Sequence, residues 1–188
     1  MGRIRIIAGS LKGRRIQVPQ GQKVRPTGDR VREALFSILG RKVVKARILD
    51  AYAGSGALGL EALSRGAHHA TFVEADRQVA RQLERNVQGL GLDSRAEVRQ
   101  EDVLAFLARG GPSRPLDLVL ADPPYAEAAA GPFLARIAAP GWLAADGWIV
   151  LERDRGAAWL GEAGHGVRRF RTATYGGTCL DFFDVQRA

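Results

Sequence analysis

After residue 45 the chain repeats one unit: a short apolar run, a loop rich in glycine or acid, then an amphipathic stretch. Few folds accommodate that repetition. Residues 48–49 with their neighbours, 70–73, 96–99, 116–121 and 148–151 read as buried strands. Residues 57–65, 78–90, 103–109 and 133–138 read as the helices between and after them. Regular alternation of this kind predicts an α/β fold, a parallel sheet covered by helices on both faces and joined by right-handed crossovers. The end of the chain departs from the pattern. Residues 167–175 and 179–185, joined by Gly176-Gly177, read as an antiparallel hairpin that closes the sheet and brings it to seven strands.

The first 45 residues read differently. Residues 3–8 and 14–18 alternate charge with aliphatic side chains around a turn at 9–13, a basic hairpin. From Thr27, with Thr27 or Asp29 near its start, a helix places Val31, Ala34, Leu35, Ile38 and Leu39 on one stripe and stops at Gly40. Residues 1–47 hold 13 of the 28 Lys and Arg against two acids, Asp29 and Glu33, whereas the rest of the chain holds 15 bases and 18 acids. All of the +8 excess therefore lies in the first quarter. That distribution predicts a basic extension over residues 1–45 that meets a polyanion, joined to a near-neutral catalytic domain over 46–188. Arg3, Arg5, Lys12, Arg14, Arg15, Arg25, Arg30 and Arg32 are the candidate phosphate contacts. Arg30 and Arg32 fall off the apolar stripe, so each is expected to face solvent or a phosphate.

The same composition excludes other classes. With 46% hydrophobic and 26% charged residues the chain is neither wholly disordered nor a disulfide-built scaffold. Cys179 is the single cysteine, expected to be an inert buried thiol in a reducing compartment, and the cytosol is the expected location. No run approaches the roughly 18 apolar residues that span a bilayer. His68, His69 and His165 lack metal-site spacing, and Trp142, Trp148 and Trp159 are expected in core or sheet-edge positions.

Chemistry concentrates at predicted strand ends. Residues 50–59 turn the first parallel strand into its helix and contain Gly54-x-Gly56-x-x-Gly59, which lets backbone approach a ligand. With Glu74 lying 20 residues on from Gly54, this also matches a dinucleotide fingerprint, so NAD competes. Asp50 counts against it, because an acid there would meet an incoming pyrophosphate. A cofactor with a cationic centre, an amino-acid head and a ribose suits acids better, and S-adenosylmethionine is such a molecule. Asp50, Ala53, Gly54, Ser55, Gly56, Glu74 and Asp102 are its candidate contacts, with Glu74 accepting from the ribose hydroxyls and Asp102 from the adenine amino group. Glu101 competes with Asp102, and both Asp102 and Asp76 also fit simple helix caps.

The most specific signal is Asp122-Pro123-Pro124-Tyr125, directly after the strand at 116–121. Two prolines stiffen the loop and fix its carbonyls. A carboxylate, rigid carbonyls and an aromatic ring can hold a planar amino group while the ring stacks on the base. The pattern resembles S-adenosylmethionine-dependent methyltransferases that act on amino nitrogens conjugated to a planar system. Three further blocks narrow the resemblance: Ile6-Ile7-Ala8-Gly9-x-x-Lys12-Gly13-Arg14, Arg25-Pro26-Thr27-x-Asp29-Arg30-Val31-Arg32-Glu33-Ala34-Leu35-Phe36, and Ala53-Gly54-Ser55-Gly56-Ala57-Leu58-Gly59-Leu60-Glu61-Ala62. With Tyr175-Gly176 they look like the RsmD family, bacterial methyltransferases for guanine N2 in small-subunit ribosomal RNA.

The resemblance implies a Rossmann-like class I S-adenosylmethionine-dependent methyltransferase fold with a basic N-terminal hairpin and helix. It implies a cytoplasmic monomer that uses no metal and modifies 16S ribosomal RNA within an assembling small subunit. Asp122, Pro123, Pro124 and Tyr125 become the catalytic set, and Thr27 and Asp122 join the cofactor contacts. Adenine N6 or cytosine N4 of DNA and a glutamine side-chain amide offer the same planar amino group and remain alternatives. So does a non-enzymatic RNA-binding module with a dead cofactor site, although Asp122 and Tyr125 are both kept.

Overall fold

A computed structural model describes residues 2–18, 27–123, 126–157 and 166–186. Arg25, Pro124, Tyr125, Trp159 and His165 lie outside the described residues, as do the side chains of Thr27 and residues 126–129. The N-terminal hairpin is β1 (Gly2–Arg5) and β2 (Arg15–Val18), followed by α1 (Thr27–Leu39) and a 3-10 turn (Gly40–Val43). The alternating part runs β3 (Arg47–Ala51), α2 (Ala57–Ser64), β4 (His69–Glu74), α3 (Arg77–Gly89), β5 (Ala96–Gln100), α4 (Val103–Leu107), β6 (Leu116–Ala121), α5 (Ala126–Ile137) and β7 (Leu143–Asp154). The closing hairpin is β8 (Val167–Tyr175) and β9 (Thr178–Val185).

The larger sheet has the order β5-β4-β3-β6-β7-β9-β8. β9 is antiparallel to both β7 and β8, and the other pairs are parallel. The expected seven-stranded, mostly parallel Rossmann-like sheet is thus formed. From β3 the chain winds outward through β4 to β5, then returns to β6 on the other side of β3. That reversal is a topological switch point, where open α/β sheets leave a crevice outside the carboxyl ends of their strands.

Strand alternation divides the core into two layers. Ile48, Leu118 and Leu120 pack beneath α1, α2 and α3 with Leu35, Phe36, Leu60, Leu63 and Phe72. Leu49, Ala51, Val119 and Ala121 pack beneath α4 and α5 with Leu107, Phe133 and Ile137. The N-terminal segment belongs to the first layer through Ile6, Ile16, Val31, Leu35, Phe36 and Leu39.

A fully buried carboxylate, Glu61 of α2, ties that segment down. Its oxygens accept from the N–H groups of Ile7 (2.8 Å) and Ala8 (3.0 Å) and pair with Arg65 (2.7 Å) and Arg32 (3.7 Å). Gly9 follows at φ +84°, so close to α2 that a Cβ there would sit 1.9 Å from the Ser64 carbonyl oxygen. These bonds explain a boundary: β1 does not run on to Ala8, because after Ile6, whose N–H donates to the Arg14 carbonyl (2.9 Å), the amides of Ile7 and Ala8 are taken by Glu61.

Two other boundaries differ from the sequence reading. α5 begins at Ala126, not at residue 133, with Pro132 inside the helix. β7 begins at Leu143, not at Trp148. Its first residues, interrupted by Gly147, pair with β6 across a register shift.

Candidate active site

β3 and β6 deliver the two informative loops side by side. Ala51 and Ala121 are register partners, so the glycine loop and Asp122-Pro123 leave the sheet from adjacent strand ends at the switch point. The glycine loop is tightly wound. Tyr52 and Gly54 both take positive φ (60° and 54°), Gly56 donates to the Ala53 carbonyl (2.7 Å), and Ala53 donates to Val73 on β4 (3.0 Å). Gly56, at φ +78°, and Gly59 are both demanded by the protein's own structure. A Cβ on Gly56 would lie 2.3 Å from Leu83, and one on Gly59 2.3 Å from the Phe72 ring.

Asp50 belongs to the α2 side of β3 and is 2% exposed. Its Oδ2 accepts from the Gly59 N–H (2.8 Å), so it braces the first turn of α2 from beneath. The sequence reading placed it facing the ligand. Strand alternation turns it under the loop instead. Burial above all, opposed by the Gly59 N–H and aided by the charges of Asp122 and Glu74, pushes its carboxyl up to about 8. Ser55 and Ala53 are also buried.

Glu74, half-buried at the end of β4, stands where expected. One oxygen accepts from the Gly54 N–H (2.8 Å) and the other from the Asp76 N–H (2.9 Å). Each carboxylate oxygen keeps a further lone pair for a ligand hydroxyl. Asp76 caps α3 through Gln78 and Val79. Asp102 is exposed and caps α4 through the Ala105 N–H (2.9 Å), while its neighbour Glu101 is held by Arg109 (2.7 Å). Asp122 is exposed and Pro123 buried.

Tyr52 was missed as a site residue. Its ring packs against Phe133 of α5 (centroids 6.0 Å apart), which ties the glycine loop to the helix that follows the Asp122 loop. Burial and the charge of Asp102 push its hydroxyl up to about 12. A left-handed backbone is costly for a bulky residue and is found where surrounding structure enforces it. Asn86 of α3 was also missed. Its buried amide joins both backbone groups of Gln17 on β2 to the Ser55 carbonyl of the glycine loop (2.9–3.2 Å). A single polar residue on an amphipathic helix gives no sequence signal for such a bridge.

The bases of the extension divide. Arg3, Lys12, Arg15 and Arg30 are exposed with no acid partner among the described residues. Arg5 is exposed beside Asp29 (3.4 Å), and Arg14 donates to the Gly89 carbonyl (2.8 Å). Arg32 is the correction. It is 5% exposed, donates to the Arg5 carbonyl (2.7 Å) and Asp29 (3.0 Å), and stands 3.7 Å from Glu61. Its guanidinium is itself buried and held by Asp29, the Arg5 carbonyl and the buried Glu61, and does not face a phosphate.

Residues 4–184 match the family model described as "Conserved hypothetical protein 95". The chain belongs to this family. Curated relatives of this family member include the "Ribosomal RNA small subunit methyltransferase D" of Escherichia coli, 43% identical over 153 residues, 81% of this chain and 76% of that one. The protein of the same name from Haemophilus influenzae is 40% identical over 155 residues, 82% of this chain and 80% of that one. Among solved structures, the Escherichia coli protein titled "Putative methyltransferase yhhF" superposes with a TM-score of 0.86 at 38% identity, covering 98% of this chain and 99% of that one. The fold is the Rossmann-like class I methyltransferase fold.

Proposed function

We propose that this protein transfers the methyl group of S-adenosylmethionine to the exocyclic N2 of a guanine in 16S ribosomal RNA, acting as a cytoplasmic monomer on an assembling small subunit. The observation that carries the reading is the adjacency of the glycine loop and Asp122 across the β3–β6 switch point, in a chain whose relatives bear the name ribosomal RNA small subunit methyltransferase D.

The donor set suits that cofactor. Residues 50–59 contain no Lys or Arg, and the carboxylates of Asp50, Glu74 and Asp122 lie close enough for the last two to raise the first. A pyrophosphate would meet the carboxylates of Glu74 and Asp122 with no Lys or Arg in residues 50–59, whereas a sulfonium, an ammonium and ribose hydroxyls meet acceptors. This disfavours the dinucleotide alternative. When bound, S-adenosylmethionine supplies an electrophilic methyl on a cationic sulfur.

The protein's part is to hold and orient. Glu74 accepts from the ribose hydroxyls while fixing Gly54, and Asp50 keeps the first turn of α2 in register beneath the loop. Asp102, already a cap through one oxygen, offers the other to the adenine amino group. Asp122 and the Pro123 carbonyl accept from the guanine amino group and aim its nitrogen lone pair along the line of transfer. Pro124 and Tyr125 complete the loop in sequence, with the Tyr125 ring assigned to stacking on the base. Positioning and acceptors placed for developing charge supply the catalysis, with no covalent enzyme intermediate.

The reading is tested by incubating the protein with labelled S-adenosylmethionine and small-subunit particles that lack the modification, then digesting the RNA to nucleosides. N2-methylguanosine is expected. Label in N6-methyladenosine, N4-methylcytosine or protein would assign the site to another amino group.

A further inference from the structure

β8 is an edge strand of the seven-stranded sheet, paired with β9. Its register with β9 passes from Arg169↔Phe183 to Arg171↔Phe182, so Phe170 is the extra residue of a β-bulge. Bulges re-aim the side chain they carry. The Phe170 ring is 39% exposed, and Val44 is the only other exposed large apolar side chain among the described residues. It is held in place and not loose. Its centroid lies 5.0 Å from the Trp148 ring and 6.3 Å from Phe182, and Lys42 stands 5.3 Å over Trp148.

Arginines flank the ring on both sides. Arg168 is paired with Asp184 (2.5 Å), Arg169 lies 3.7 Å from Asp181, and Arg171 is exposed with no acid partner among the described residues. Trp148 and Phe182 pack in the layer that contains α1 and the N-terminal hairpin. The bulge therefore opens on the face of the sheet that carries the basic extension. The hairpin is bonded to α2 and α3 toward the β4–β5 edge, and β8 lies at the opposite edge. Arg30 of α1 and Arg41 of the 3-10 turn are also exposed, as is Glu33 of α1. β8 is three strands from β6, roughly 14 Å across the sheet.

We propose that Phe170 and Arg171 form an accessory RNA contact that stacks an unpaired base of the substrate away from the target guanine and neutralises a neighbouring phosphate. The inference rests on the ribosomal RNA reading above. An aromatic face beside unpaired arginine is the pairing that holds single-stranded RNA without reading its sequence. Arginines and a bulge also protect a sheet edge from pairing with another chain, so the experiment separates the two roles.

Methyl transfer to small-subunit RNA is measured for Phe170→Ala, Phe170→Tyr and Arg171→Ser, with a direct cofactor titration for each. Phe170→Ala is expected to raise KM for RNA by about fivefold, the low end for losing one stacked base, with kcat and cofactor affinity unchanged and with Phe170→Tyr near wild type. Arg171→Ser, which leaves the ring cluster intact, is expected to reduce the salt slope of RNA binding by about one unit. Wild-type KM and salt slope in Phe170→Ala and Arg171→Ser would overturn the proposal, as would variants that only self-associate. If the wild-type protein itself moves no methyl to RNA, the underlying reading fails, and that outcome is seen before any variant is compared.

Discussion

At the carboxyl ends of β3 and β4, Asp50 and Glu74 already hold backbone donors, whereas on the N-terminal extension Arg3, Lys12, Arg15 and Arg30 stand exposed without acid partners among the described residues. The two regions meet different kinds of ligand in our reading. A small molecule of fixed shape needs acceptors held to fractions of an ångström, and backbone bonds supply that rigidity. A phosphate chain rewards numbers of charges and counterion release, which exposed side chains provide without fixed geometry. Glu61 and Arg32 stand between the regions, acid and base both buried and each spent on holding the extension to α2. The contrast predicts that braced groups lose folding stability when removed and that exposed bases lose RNA binding alone.

The largest effect is expected at Glu61. Glu61→Ala removes the buried acid beside Arg32, which keeps only Asp29 and the Arg5 carbonyl, and leaves the Ile7 and Ala8 amides without their acceptor. Removing one partner of a buried pair costs about 3–5 kcal/mol, to be read from urea unfolding. A loss below ~1 kcal/mol would mean that the extension is held by its apolar contacts alone.

Asp50 comes next, and the sign follows from its raised carboxyl. An acid that titrates near 8 when folded and near 3.8 when unfolded binds more protons in the folded state between those values. Its contribution to stability is full below about pH 4 and is lost as pH rises toward about 8, by up to about 1.4 kcal/mol per pH unit. Asp50→Asn keeps an acceptor for Gly59 and cannot ionise, so its stability should fall less steeply than wild type across that window. Parallel unfolding curves for the two proteins from pH 4 to 8 would place the charge of Asp50 in contact with water.

The exposed bases give the smallest change in stability. Combined Arg3→Ser, Lys12→Ser and Arg15→Ser should reduce the salt slope of RNA binding by about two to three units, while unfolding moves by no more than about 0.5 kcal/mol. Arg32→Ser should do the reverse, lowering stability with the salt slope unchanged. Substitution is the cleaner test here, because cutting residues 1–20 would also remove Ile6, Ile16 and Val18 from the core.

Most of the sheet was legible because period-2 and period-3.6 patterns are local. β6 and the closing hairpin are read almost to the residue, and α1 has the expected limits. The departures have non-local causes. Arg32 occupies a helix position that reads as solvent-facing, and its partner Glu61 lies 29 residues away on another helix. Asp50 reads as a ligand contact until strand alternation and the Gly59 amide turn it beneath α2. α5 reads as starting at residue 133, with the alanine-rich stretch before it carrying no helical period, yet the helix begins seven residues earlier at Ala126. The positions of Glu74 and Asp122 are legible because the end of a parallel strand at a switch point is itself a location, whereas their roles rest on the proposed function.

The proposed division of the site into a cofactor half on β3 and β4 and a nucleotide half on β6 is tested most directly by Glu74→Ala and Asp122→Ala, each followed by cofactor titration and by single-turnover methyl transfer to small-subunit RNA. Glu74→Ala should weaken cofactor binding by roughly 10- to 100-fold, through the lost ribose acceptor and the released Gly54 amide. Asp122→Ala should bind cofactor nearly as wild type and transfer methyl about 10²- to 10³-fold more slowly. Loss of cofactor binding in step with activity in Asp122→Ala, or transfer at the wild-type rate, would contradict the account.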